Sequence, residues 1–380
     1  MSPAWPTVRL GEVVRHRKEF IVIDDLTAYR RPRVQLHAQG IVLRDEVPGS
    51  LIKTKTQQVC GAGEFLVAEI DAKVGGFGIV PEALNGALVS SHYFLFVPDK
   101  TRMDTRFLDA FIRTRTFRDQ VEAQGSTNYA AIRPADVLGY QIPLPPLKEQ
   151  LRIVGRIKEL SNDIEAAQRL RREVAEETTA FVTSLHMHLS GSRTRRLRDL
   201  LRLDEDVEPV KLDGSYPQVG VRSFGGGLFP KGAVEGTGTT YRGFNRLYSG
   251  ALLLSQVKGW EGAVAICPAK LAGWFVSPEY RTFRCQPNEA RPDYLAPLVQ
   301  TEWFWGRLGS ATRGVGARRE RTRPDQFLDI ELPMPDVKSQ EVGERIFAEL
   351  EPLRMVQTEI APEFDALLPA ILDRAFKGEL

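Results

Sequence analysis

Cysteine is scarce in this 380-residue chain: Cys60, Cys267 and Cys285 stand far apart and form no C-x-x-C pair. That spacing argues against a zinc ribbon or a disulfide framework and fits a reducing compartment. Charge of one sign is also lacking, with 51 Lys and Arg against 49 Asp and Glu and a formal net charge of +2. Affinity for a polyanion therefore cannot come from the field of the whole molecule; any basic surface must be local. Long apolar runs are absent. The longest, such as GALLLSQV at 250–257, are far too short to cross a bilayer, and the opening MSPAWPTVRLGEVVRHRKEF holds no apolar core of signal-peptide length. A cytoplasmic chain with no membrane association is expected. Two catalytic signatures are missing as well. No Gly-rich phosphate loop precedes a Lys-Ser or Lys-Thr, and no Asn-Pro-Pro-aromatic or Asp-Pro-Pro-Tyr run occurs.

What the chain does contain, it contains twice. GEFLVAEIDAKVGGFGIVP at 63–81 matches GALLLSQVKGWEGAVAICP at 250–268, 187 residues on. The same offset relates Tyr93 to Tyr280, Phe96 to Phe283, Leu108 to Leu295 and Phe117 to Phe304. It steps to 190 at Pro134 and Pro324, Pro143 and Pro333, and Gln150 and Gln340, then returns to 187 at Leu189 and Phe376 and at Gly191 and Gly378. A register this long marks a tandem duplication. Within each half the order is the same: short strand-like runs bounded by Gly and Pro, one short helix (TRFLDAFIRTRTFRDQVEAQ or RPDYLAPLVQTEWFWGRL), a glycine-containing loop, a last short strand ending in prolines, and one long helix.

The long helices carry a narrow apolar stripe. In the first copy it includes Leu147, Leu151, Val154, Ile157 and Ile164, and in the second Val342, Ile346, Leu350, Leu353 and Ile360. A stripe over about 40 residues, roughly 60 Å of helix, needs a partner, and each copy supplies one for the other. The expected fold class is α/β (α+β): two repeated globular domains separated by long helices that pair as an antiparallel coiled coil. The boundaries are 1–146, 147–191, 192–336 and 337–380. Pro352, Pro362 and Pro369 are expected to kink or break the second helix.

Metal or nucleophilic chemistry finds little support. Glu69, Asp71 and Lys73 follow a strand in the manner of a metal-dependent nuclease, which defines an alternative reading as a self-sufficient DNA-cleaving defence protein. The duplicate replaces them with Gln256, Lys258 and Trp260 while keeping the glycine, so a turn built on Gly75-Gly76 and on Gly262 explains both copies. His186 and His188 point to different sides of a helix and suit a surface or interface role rather than a metal pair.

Basic and aromatic residues cluster in the loops and differ between the halves. The first half offers Arg30, Arg31, Arg33, Lys53 and Lys55, with Asn128 and Tyr129 in its glycine-containing loop. The second offers Arg222, Lys231, Arg242 and Arg246, then Arg313, Arg318, Arg319, Arg321 and Arg323 in TRGVGARRERTRP. Guanidinium forks among glycines suit phosphates and guanine edges, while Asn128 and Tyr129 suit an adenine edge and base stacking. Two related but diverged heads on a fixed spacer would read two different short DNA sequences.

At this point the chain resembles the specificity (S) subunits of type I restriction–modification enzymes. The resemblance rests on WPTVRLGEVV and RTRRLRDLL, which open the two units, on the junction IPLPPLKEQLRIVGRI, and on the ending LLPAILDRAFKGEL. It implies two target-recognition domains on double-stranded DNA, and helices that dock two methyltransferase (M) subunits, to which two restriction (R) subunits can add. It implies a non-catalytic chain without a cofactor of its own: S-adenosylmethionine belongs to the methyltransferase partner, ATP and magnesium to the restriction partner. The second junction, LPMPDVKSQEVGERI, departs from the first in lacking the double proline and the Glu-Gln pair.

Overall fold

Duplication of sequence becomes duplication of hydrogen-bond register. In the computed structural model, which describes residues 5–122, 131–311 and 321–380, each half builds a four-stranded antiparallel sheet in the same order. The first runs Val14–Arg17, Tyr93–Pro98, Phe65–Ala68, Phe77–Ile79, and the second Leu201–Leu203, Tyr280–Cys285, Leu252–Ser255, Val264–Ile266. Phe65 pairs with Phe96, and their repeat equivalents Leu252 and Phe283 pair likewise. A short two-stranded ribbon closes each half: Thr7–Arg9 with Gln141–Pro143, and Thr194–Arg196 with Glu331–Pro333. Backbone conformation repeats with the pairing. Gly63, Gly75, Gly86 and Gly191 have positive φ, and so do Gly250, Gly262, Gly273 and Gly378.

The single short helix expected in each half is two helices. Thr105–Ile112 and Arg115–Glu122 are separated at Thr114, and Pro292–Leu298 and Glu302–Ala311 at Thr301. Both threonines are buried. Thr114 Oγ1 donates to Phe111 O at 2.7 Å and accepts from Phe117 N at 3.3 Å, and Thr301 repeats the pattern with Leu298 O at 2.7 Å and Phe304 N at 3.2 Å. A hydroxyl that satisfies an orphan N–H of the next helix is an N-cap, so the chain restarts there.

The first long helix runs Leu147–Ser190 and stops before Gly191, whose φ of 54° a residue with a Cβ adopts at a cost. The second runs Val337–Phe376 as one helix of 40 residues, so the breaks expected at Pro352, Pro362 and Pro369 do not occur. Each proline deletes one backbone donor, and the hydrogen bonds on either side carry the helix past it.

The chain folds as two compact units that share these helices. One comprises Met1–Arg169 with Ala361–Leu380, the other Leu170–Ile360. In the first unit, Ile153 of the first helix and Ala375 and Phe376 of the second join the core around Phe107 and Phe111, and Arg152 donates to the Leu380 carbonyl at 2.8 Å. In the second unit, Val182 and Leu189 of the first helix join Phe347 and Leu350 of the second around Tyr294. Early residues of one helix meet late residues of the other in each unit, which makes the pairing antiparallel.

The rotation of each long helix is set by a glutamine. Gln150 is fully buried: its Nε2 donates to Arg102 O and Pro145 O, both at 2.8 Å, and its Oε1 accepts from Asp104 N at 2.9 Å. Gln340 does the same with Glu289 O at 3.0 Å, Pro335 O at 2.9 Å and Arg291 N at 2.9 Å. Ile153 and Gly343, three residues further on, therefore face inward. Gly343 has no room for a side chain, because an added Cβ would stand 2.5 Å from the Tyr294 ring. Leu151 and Val342, placed on the buried stripe by periodicity, are turned outward and are 49% and 41% exposed. Gln150→Ala strands one N–H and two carbonyls in the interior and is expected to cost about 3 kcal/mol. Urea unfolding followed by hydrogen exchange across Arg102–Phe107 would register it; wild-type protection there would refute the assignment.

Candidate nucleic-acid interface

A β-hairpin projects from the same place in each half. The first pairs Ala28–Gln35 with Gly40–Pro48, the second Ser215–Val221 with Leu228–Glu235. Its tip is fastened to the glycine turn that follows the central strand. His37 N donates to Val74 O at 2.7 Å and Ala38 N to Gly75 O at 2.9 Å; Phe224 N and Gly225 N bond Glu261 O and Gly262 O in the equivalent way. At Gly75 the φ is 80°, and an added Cβ would stand 2.6 Å from Ala38 N, so glycine is needed for the approach. This accounts for the glycines shared by the two copies. Glu69 pairs with His92 at 2.8 Å, and the Asp71 carbonyl accepts from Val74 N and Gly76 N, so both belong to the turn. No group of three or more His, Cys, Asp or Glu able to hold a metal occurs among the described residues.

The hairpins share a frame but present different chemistry. In the first, Arg31 clasps Asp45 with two bonds of 2.7 Å, and this contact holds the Asp45 carboxyl below the usual carboxylate range. Arg30 reaches the carbonyls of Ala83 at 2.5 Å and Asn85 at 2.7 Å. Lys55 is tied to Asp25 at 2.5 Å and to Gly49 O at 2.7 Å. These three expected DNA contacts thus brace the hairpin and the loop beside it, whereas Arg33 and Lys53 are exposed. In the second hairpin the Phe229 ring lies across Gly220, where an added Cβ would be 2.4 Å from its edge. Arg222 sits 4.6 Å and Lys231 5.7 Å from the ring centroid, so a flat aromatic carries two cations at the surface. The repeat equivalents of Gly220 and Phe229 are Arg33 and Val42, so this platform belongs to the second copy. Sequence reasoning named Arg222 and Lys231 but missed Phe229; the signal was a glycine facing an aromatic across a hairpin.

Of the remaining basic residues, Arg242 is exposed and Arg246 pairs with Glu208 at 2.8 Å while lying over Phe275. Arg321 faces Glu279 at 3.5 Å. Asn128, Tyr129, Arg313, Arg318 and Arg319 lie outside the described residues. The chain re-enters at matching points after both stretches: Ile132 N donates to Glu69 O and Thr322 N to Gln256 O.

The helical residues expected to dock partners divide by exposure. Leu147, Val154, Ile157, Ile164, Ile346, Leu350 and Ile360 are half-buried, while Leu151 and Val342 face outward together with Leu353, which is 42% exposed. His186 is a correction. Expected at a surface or an interface, it is fully buried in the second unit, where Nδ1 meets the Tyr294 hydroxyl at 2.7 Å and Nε2 meets Pro333 O at 3.0 Å. Periodicity marked only that its neighbours were helical, and the pocket that receives it is built by residues over a hundred positions away. His188 is exposed.

Two diverged hairpins on one repeated frame, with paired long helices, define the class of fold: a duplicated α/β chain with two globular domains. The comparisons agree. Residues 4–175 match the type I restriction modification DNA specificity domain. A solved structure concerning complex assembly and conformational transition of the type I R-M system is 21% identical, with 100% of this chain and 99% of that chain covered and a TM-score of 0.68. The HsdS subunit from Thermoanaerobacter tengcongensis is 20% identical over 100% of this chain and 98% of its own, with a TM-score of 0.54. These two likenesses establish the fold. No curated protein matches by sequence. The family match covers less than half of the chain, within its first half, and the structural likenesses span the whole of it; the chain is thus similar to type I restriction–modification specificity subunits.

Proposed function

We propose that this chain is the DNA specificity subunit of a type I restriction–modification system, that each of its domains reads one half of a bipartite double-stranded DNA target, and that the long helices dock two methyltransferase subunits. The observation that carries the reading is a strand order and pairing register kept beneath hairpins whose exposed chemistry has diverged. Arg33 stands in one hairpin where the other has Gly220 under the Phe229 platform. Different half-sites require that divergence, and a constant spacing between them requires the frame. The chain performs no chemistry itself in this scheme. S-adenosylmethionine is held by the methyltransferase partner, and two restriction subunits bring ATP and magnesium. The setting is the cytoplasm; no helix among the described residues is long and apolar enough to cross a membrane.

The test is to map methylated adenines in a host that carries the complex with wild-type or altered chain. Phe229→Ala removes the stacking surface and is expected to lower affinity by roughly 10-fold, about 1–3 kcal/mol for one stacked base, with relaxed sequence choice in one half-site alone. Arg33→Ala is expected to affect the other half-site. If both variants relaxed both half-sites equally, or if the methylation pattern survived deletion of the chain, the two-head reading would fail.

A further inference from the structure

A cavity of about 790 Å³ lies wholly within the first unit. Its walls are the hairpin tip at 37–39, the segment 113–118, the first long helix at 161–168 and the second at 364–373. The floor is apolar, formed by Ile164, Phe364, Leu368 and Leu372. Three arginines line it, and two are engaged elsewhere: Arg113 with Asp109 at 2.7 Å and Arg115 with Asp119 at 3.7 Å. Arg118 is different. Its Nε is enclosed by the protein and bonds no acceptor, so its terminal nitrogens are the ones a ligand in the cavity would meet. Asp373, on the opposite wall, is taken by Lys377 at 2.6 Å, and Glu165 and Asp365 face solvent.

The second copy shows that the fold does not demand this cavity. Trp305 stands in place of Arg118 and packs on Gly262, with its Cγ 2.7 Å from where a Cβ would sit. Phe224 replaces His37 and meets the Trp305 ring edge-on at 5.8 Å. Gln300 and Arg354, which replace Arg113 and Ile164, hydrogen-bond each other. The same scaffold position is thus filled by mutually packed side chains in one unit and left open and donor-lined in the other.

We propose that the cavity binds a small organic anion with a flat apolar body, its anionic group on Arg118 and its ring against Phe364, Leu368 and Leu372. An aromatic carboxylate and a nucleoside monophosphate share this chemistry. Calorimetric titration of the full chain with 1-naphthoate and with adenosine monophosphate separates the two sources, and naphthalene-methanol serves as the neutral control. Saturable binding of at least one anion is expected. It should be weakened roughly 10-fold or more by Arg118→Met, in line with a charged hydrogen bond. The paired change His37→Phe with Arg118→Trp copies the filled unit and should abolish binding while holding or raising the melting temperature; it decides the matter if Arg118→Met does not fold. Failure of both anions to saturate at millimolar concentration, equal affinity in wild type and variants, or equal binding of the neutral control would overturn the proposal.

Discussion

Glu64→Ala is expected to destabilise the first unit by about 1–3 kcal/mol, because Arg17 loses its buried carboxylate and keeps only the exposed Glu19 at 3.3 Å. The Arg17 guanidinium holds Glu64 through two bonds of 2.6 and 2.7 Å and also donates to Val59 O at 2.6 Å, with side chains only 15% and 9% exposed. Glu64 further accepts from Gly61 N at 2.7 Å, so it ties together the ends of three strand segments. The hydrogen bonds that Arg17 donates to Glu64 raise the Arg17 pKa, so the arginine cannot escape by losing its proton. The duplicate shows that the frame does not need this pair, since its equivalents are Asp204 and Ala251. Replacing both members by methionine is therefore expected to recover most of the loss. Hydrogen exchange over Phe65–Ala68 is the suitable readout, because two units sharing long helices need not unfold in one step. Unchanged protection in Glu64→Ala would remove the pair from the list of stabilising contacts.

In the second unit the largest pH effect is expected from His186. Pro333 O can only accept, so the imidazole carries its proton on Nε2, and Nδ1 accepts from the Tyr294 hydroxyl. Burial pushes its pKa down from 6.5 to about 4. Above pH 6.5 neither folded nor unfolded chain is protonated there, and the contact contributes in full. As pH falls toward 4 the unfolded chain takes up a proton that the buried ring refuses, and stability drops by up to about 3 kcal/mol. His186→Phe leaves the Pro333 carbonyl and the Tyr294 hydroxyl unsatisfied, so it should be less stable at pH 7 by about 2–4 kcal/mol, and its acid dependence should be flatter. Denaturant midpoints for both proteins between pH 4 and 7 provide the check. Parallel curves would mean that His186 does not supply the slope.

How much of this was legible depended on whether the pattern was local. The duplication, the antiparallel helices, the glycine turn and the exposed cations Arg33, Lys53, Arg222 and Lys231 all follow from spacing, periodicity or composition. The errors arose where a distant residue made the decision. Thr114 and Thr301 look like ordinary helix positions, yet each caps a new helix once buried against its own sheet. Leu151 and Val342 fit the apolar period, but Gln150 and Gln340 seize carbonyls far off in sequence and turn the helices by their own geometry. Arg30, Arg31 and Lys55 look free in a basic loop, and only the fold shows that they also hold Ala83, Asn85, Asp45 and Asp25. Periodicity reports which face is apolar on average; it does not report which single polar group will find a partner.

The sequence by itself therefore determined the two-headed plan, because a repeat kept in register for nearly the whole chain must fold twice the same way. Only the tertiary structure decided what each head exposes. The Phe229 platform, the cavity beside Arg118 and the buried His186 depend on side chains brought together from different strands and helices. The two copies of the backbone frame are equivalent at those places, so it is the packing of particular, diverged side chains that separates one head from the other.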